Sequence, residues 1–211
     1  MLAVIDSFVA ICKAILSGRT MKQPEVMREV LKDFMTQWKD LPRSADPSEE
    51  QLSALAQRMV ELATASAWQV SPYREAAPGE ELLYELAVSP IDGPSLYLVS
   101  DGASVVSPPH EHQTWAVIAG IRGRETNRRY AIQSRERRVV LESSVVELGA
   151  GEVLVLRTHE IHATEVCSSE ATFHLHLYGR PLHALPAFES RRYTVAGGAS
   201  SSRHAYGGPP E

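Results

Sequence analysis

From about residue 80 the chain is built of short apolar runs that turn-forming residues keep interrupting. The runs cover 81–88, 95–99, 115–121, 138–142, 144–148, 152–156 and 171–178, and Gly, Pro, Asp and Ser stand between them. Each is the length of a strand, and several strands at close spacing predict an antiparallel sandwich or barrel. The first third has a different period. Leu2, Ile5, Phe8, Val9, Ile11, Cys12 and Ile15 recur at helical spacing, as do Val26, Val30, Leu31, Phe34 and Trp38, then Leu52, Leu55, Ala56, Met59, Val60 and Leu62. The loop at 41–48 offers Asp46 or Ser48 as the cap of the last helix, with Glu49 and Glu50 in its first turn. The expected organisation is a helical segment over 1–72, a β-barrel over 73–195 and a flexible Gly/Ser/Pro-rich tail over 196–211.

Composition narrows the function. With 211 residues the chain fits one domain plus attachments, at roughly 100–200 residues per domain. The 44% hydrophobic content supplies a core and excludes a disordered polar chain. Lys and Arg number 21 against 26 Asp and Glu, a net charge of −5, so no nucleic-acid partner is expected. Two cysteines, Cys12 and Cys167, are too few for a disulfide framework. The first apolar stretch carries Asp6 and Lys13 and lacks a basic start, so it reads as a packed helix rather than a signal peptide or membrane span. The expected setting is the cytoplasm, with no membrane association, as a monomer or small homo-oligomer.

All eight histidines lie at residue 110 or later. His110 and His112 are two apart, so on a strand they share a face while Glu111 points away. A second cluster, Gly151–His162, runs from a glycine turn through an apolar strand to His159 and His162. A third, His174-Leu175-His176-Leu177-Tyr178, alternates. His174, His176 and Tyr178 share one face, and Phe173, Leu175 and Leu177 share the other.

The first two clusters resemble the two metal motifs of the cupins, in the expected order. In the second, the glycine stands eleven residues before the ligand histidine, as Gly151 does before His162. Arg157 and His159 replace the usual proline and second glycine. The resemblance implies a double-stranded β-helix, or jelly roll, with a three-histidine metal site of His110, His112 and His162. No glutamate follows His112 in Trp115-Ala116-Val117-Ile118, and His159 ranks below His162 as a ligand because His162 holds the motif position. Three imidazoles suit Fe(II), Zn, Ni or Cu alike.

More narrowly, His110-x-His112-x-x-Trp115, Arg122-Gly123-Arg124-Glu125-x-Asn127, Ile161-His162 and His176-Leu177-Tyr178-Gly179 resemble bacterial thiol dioxygenases of the cysteine dioxygenase type. Phe188, ten residues after Tyr178, also keeps its place. The resemblance covers about residues 84–190. It implies a mononuclear non-haem Fe(II) and O₂ as co-substrate, acting on a small-molecule thiol to give a sulfinate. It also implies a catalytic relay of Tyr178, His176 and His174, in which His176 orients the Tyr178 hydroxyl and His174, where the family commonly has a serine, alters the tyrosine's protonation or pairs with His176. The family's substrate-carboxylate arginine falls near Leu83–Tyr84, where this chain has none. Tyr84 and Trp115 are candidate substrate contacts. Arg74, Arg157 and Arg180 are candidate replacement anchors, Arg157 and Arg180 foremost. A thiol carboxylate other than L-cysteine is therefore the expected substrate. The other readings are a cupin hydrolase, lyase or isomerase using Zn, Ni or Mn, and a cupin that binds a small molecule without catalysis.

Overall fold

A computed structural model describes residues 23–42, 45–65, 68, 73–89 and 92–197. The helix expected over 2–15 and the tail beyond 197 lie outside the described residues.

Two helices open the described chain, α1 (Gln23–Trp38) and α2 (Glu49–Ala63). Ser48 caps α2 with a reciprocal pair: its Oγ accepts from the Gln51 backbone N–H at 3.2 Å, and its own N–H donates to Gln51 Oε1 at 2.9 Å. Asp46, the other candidate cap, instead accepts from the Thr158 backbone N–H and hydroxyl, both at 2.8 Å, and so ties the loop to the barrel. Leu52, Leu55, Met59 and Leu62 form the buried stripe of α2. Leu55 and Met59 are fully buried, each worth about 1.5–3 kcal/mol relative to exposure.

Ten strands follow: β1 (Glu81–Ala87), β2 (Ser95–Asp101), β3 (His110–Glu111), β4 (Ala116–Arg122), β5 (Arg124–Ser134), β6 (Val139–Gly149), β7 (Val153–Leu156), β8 (Ile161–Glu165), β9 (Phe173–Tyr178) and β10 (Thr194–Val195). They form two five-stranded sheets, ordered β1-β2-β9-β4-β7 and β10-β6-β5-β8-β3. Every pairing is antiparallel except that of β10 with β6. The chain passes back and forth between the sheets, which is the topology of a double-stranded β-helix of the cupin type. The protein is thus mainly β with helices ahead of the barrel. The runs at 138–142 and 144–148 are one strand, β6, because Glu142 and Ser144 both pair with β5 across a bulge at Ser143. The charged stretch at 124–129 opens β5, which pairs with both β6 and β8.

The first sheet is covered on both faces. Leu96, Leu98, Val117, Leu175 and Leu177 pack outward, in one cluster with Leu52, Leu55 and Met59 of α2. Tyr97, Ala116, Ile118, Leu154 and Tyr178 pack inward. Two-sided burial explains why β2 and β4 read as nearly continuous apolar runs instead of alternating. Trp115 locks the helical layer in place, its indole N–H donating to the Pro42 carbonyl at 2.6 Å. Gly179 makes room for that ring: a Cβ there would stand 2.4 Å from Trp115 Nε1.

Candidate metal centre

β3 and β8 bring the three expected histidines together. His110 lies directly opposite His162 in the register, and His112 follows two residues on. All three are buried, with one nitrogen of each within 4.8 Å of the others. Gln113 takes a φ of 58°, a left-handed conformation uncommon for such a residue, which turns the chain sharply after His112.

The proton positions follow from the partners. His110 Nδ1 lies 2.9 Å from the Pro108 carbonyl, which can only accept, so this nitrogen donates. His162 Nδ1 donates to Asn127 Oδ1 at 3.0 Å, and the amide orientation is fixed by Asn127 Nδ2 donating to Glu125 Oε1 at 2.7 Å. The Nε2 atoms of His110 and His162 are therefore unprotonated. His112 Nε2 comes within 2.9 Å of His162 Nε2. Ligands about 90° apart on one ion at ~2.1 Å stand ~3.0 Å from each other. Burial depresses the His110 pKa to about 4 and holds His112 and His162 well below their ordinary value. Without a metal, His112 Nε2–H donates to His162 Nε2; three neutral imidazoles that converge in this way fit a first-row divalent ion once that proton moves to His112 Nδ1. His159 stands outside, its side chain 70% exposed and its Nδ1 3.6 Å from Glu111 Oε2. Glu111 faces away from the trio, toward His159, Gln113 and Tyr193.

Two aromatic rings flank the trio. Tyr178 packs against His112 with ring centroids 4.9 Å apart, and its hydroxyl lies 2.9 Å from His176 Nδ1. Burial keeps His176 neutral, and among the described residues its Nε2 has no hydrogen-bond partner. Phe188 covers His110 at 5.1 Å. The buried Arg191 stacks its guanidinium over Phe188 at 5.4 Å and donates to the carbonyls of Pro186 and Glu111 at 3.0 and 3.1 Å. It so holds the short 3₁₀ turn Phe188–Arg191 against β3.

His174 also faces the barrel interior, at the other end of β9 from Tyr178. There it meets Glu125 of β5 and Asp101 of β2, all three essentially buried. Burial pushes the Glu125 pKa up to about 7, and burial plus the neighbouring carboxylates Glu81 and Glu125 raise that of Asp101.

The substrate-contact candidates are placed elsewhere. Trp115 points outward into the helical layer. Tyr84 stacks on Tyr73 at 4.9 Å, and its hydroxyl donates to the Arg74 carbonyl at 3.1 Å, on the same outer side. Each candidate arginine is ion-paired: Arg74 with Glu80, Arg157 with Glu49 and at 3.9 Å with Asp46, and Arg180 with Asp92 at 3.1 Å. Sequence reasoning gave no role to Asn127, Asp101 or Arg191. Asn127 was visible only as part of a motif. The other two carry no local signal, because partners distant in sequence define their positions.

No family model matches the sequence, and no curated protein matches it. Solved structures with related architecture include a cupin superfamily protein from Desulfitobacterium hafniense, at 16% identity and TM-score 0.40, covering 67% of this chain and 96% of that one. The polyketide cyclase RemF from Streptomyces resistomycificus stands at 20% and 0.38, covering 52% of this chain and 72% of that one. A recombinant oxalate oxidase in complex with glycolate stands at 14% and 0.41, covering 52% and 56%. At such scores the strand topology, not the likeness, carries the fold assignment. Among the described residues no helix is long and apolar enough to cross a membrane.

Proposed function

We propose that the chain is a non-haem iron thiol dioxygenase that converts a small thiol carboxylate to its sulfinate. The observation that carries this reading is a buried His176–Tyr178 pair set against a trio of neutral imidazoles. His110, His112 and His162 would hold Fe(II), which when bound lets a thiolate and O₂ meet at one centre. Pro108 and Asn127 fix the ring orientations of two of these histidines. With the proton of the neutral imidazole on His176 Nδ1, that nitrogen donates to the Tyr178 oxygen at 2.9 Å, and the Tyr178 O–H would donate toward negative charge developing on oxygen. Phe188 and Tyr178 keep the trio's surroundings apolar, which strengthens that donation.

Arg157 and Arg180 remain the proposed anchors for the substrate carboxylate. Arg157 would have to leave two acidic partners, whereas Arg180 would leave only Asp92 and lies two residues after Tyr178. Arg180 is therefore the stronger candidate. Without the family's arginine on β1, L-cysteine loses its expected anchor and should be a poor substrate.

The test uses iron-loaded protein and an oxygen electrode with cysteine, cysteamine, 3-mercaptopropionate and mercaptosuccinate. Oxygen uptake matched mole for mole by sulfinate, best with a thiol carboxylate other than cysteine, is the expected result. No uptake with any thiol, together with tight retention of zinc or nickel, would favour a cupin hydrolase, lyase or isomerase, since three imidazoles accept those ions equally well.

A further inference from the structure

The buried group Asp101, Glu125 and His174 lies at the other end of β9 from Tyr178, and it is unusually constructed for a barrel interior. The three come from different strands and both sheets: the end of β2, the start of β5 and the start of β9. Their exposures are 4%, 1% and 0%. One potential ligand atom of each lies within 4.8 Å of the others. Buried polar atoms in folded proteins nearly always find hydrogen-bond partners. Here, among the described residues, both ring nitrogens of His174 and Asp101 Oδ1 have none.

His174 Nδ1 stands 3.6 Å from Glu125 Oε2, beyond hydrogen-bonding reach. Two ligands of one ion at ~2.1 Å stand about 3.0–3.4 Å apart for octahedral or tetrahedral angles. The spacing is thus close to that of neighbouring ligands and too long for direct contact. Charge points the same way. Two carboxyl groups sit side by side with a side-chain hydrogen bond between them, and among the described residues no lysine or arginine forms an ion pair with either, so a shared proton or a cation must hold them together. A divalent cation would neutralise both and occupy the unpartnered histidine nitrogen and carboxylate oxygen together.

We propose that Asp101, Glu125 and His174 form a second divalent-cation site inside the barrel, separate from the histidine trio. One imidazole and two carboxylates make a mixed nitrogen–oxygen set that suits Mn(II), Fe(II) or Zn(II). The two sites are linked: Glu125 Oε1 accepts from Asn127 Nδ2, and Asn127 Oδ1 accepts from His162 Nδ1. A cation on Glu125 fixes that carboxylate as an acceptor and so steadies the orientation of His162.

The experiment is titration of metal-free full-length protein with Mn(II), reading bound metal by elemental analysis and free Mn(II) by electron paramagnetic resonance. Wild type should bind two equivalents. His174→Leu and, as an isosteric second variant, Asp101→Asn should each lose one equivalent while keeping the native circular dichroism spectrum. The double variant His112→Ala with His162→Ala should keep one equivalent, and adding His174→Leu should abolish it. That arm does not depend on how the trio is read. A wild type that binds no Mn(II), or whose bound Mn(II) is indifferent to both His174 and Asp101, would overturn the proposal. The pair would then be two carboxyls sharing a proton.

Discussion

His162 is the proposed ligand with the most defined surroundings, so single substitutions around it separate ligand from bystander. His162→Ala leaves two imidazoles and should lower iron occupancy sharply, whereas His159→Ala, with its exposed ring, should leave occupancy intact. Elemental analysis of protein loaded under identical conditions decides it. Asn127→Leu keeps all three ligands but removes the acceptor of His162 Nδ1. Loss of such an outer partner typically costs ~10–100-fold in metal affinity, measurable by competition with a chelator. Tyr178→Phe removes only a hydroxyl and should leave metal content unchanged while slowing turnover ~10²–10⁴-fold with the best thiol. Unchanged turnover would reduce Tyr178 to a lining residue. The His-x-His spacing and the alternation of β9 made these faces legible in advance. The partners of Nδ1 were not legible, because Pro108 and Asn127 act through a loop turn and a neighbouring strand, which carry no sequence period.

At the scale of elements, the cap of α2 offers the sharpest check on how the helical layer is held. Ser48→Ala removes an acceptor for the Gln51 N–H and should cost about 1 kcal/mol, read as a lower thermal midpoint with unchanged metal binding. The α2 periodicity was clear because one stripe alone is buried. Strands β2 and β4 were also clear as apolar runs, since they are covered on both faces. β5 was the element hardest to see. Its sequence Arg124-Glu125-Thr126-Asn127-Arg128-Arg129 resembles a solvated edge, yet Glu125 and Asn127 point into the barrel while Arg128 pairs outward with Glu142 and Glu165. Polar residues on both faces erase the hydrophobic alternation by which a strand is recognised. The failure of the pattern at β5 has a physical source, because the inward positions serve the site instead of the core.

For the whole molecule, the interior of this barrel makes stability depend on pH in a direction that can be worked out. His110, His112, His162, His174 and His176 all have folded pKa values below the ordinary 6.5, His110 and His174 near 4, with burial the largest cause in each. Below pH 6.5 the unfolded chain takes up protons that the folded chain refuses. Their contribution is therefore fully present above 6.5 and lost as the pH falls toward 4. Glu125 and Asp101 act in the opposite sense. Raised above their ordinary values, Glu125 to about 7, they add stability that is present at low pH and lost as the pH rises through the folded value. Five histidines stand against two carboxyls in the same window, so the histidine sign prevails. The metal-free protein should show a calorimetric midpoint that falls steadily from pH 6.5 to 4. Glu125→Gln removes an opposing group and should make that fall steeper. A midpoint that holds level over this range would mean that the folded barrel accepts charge on its histidines, and three neutral imidazoles could not then be the resting state of the trio.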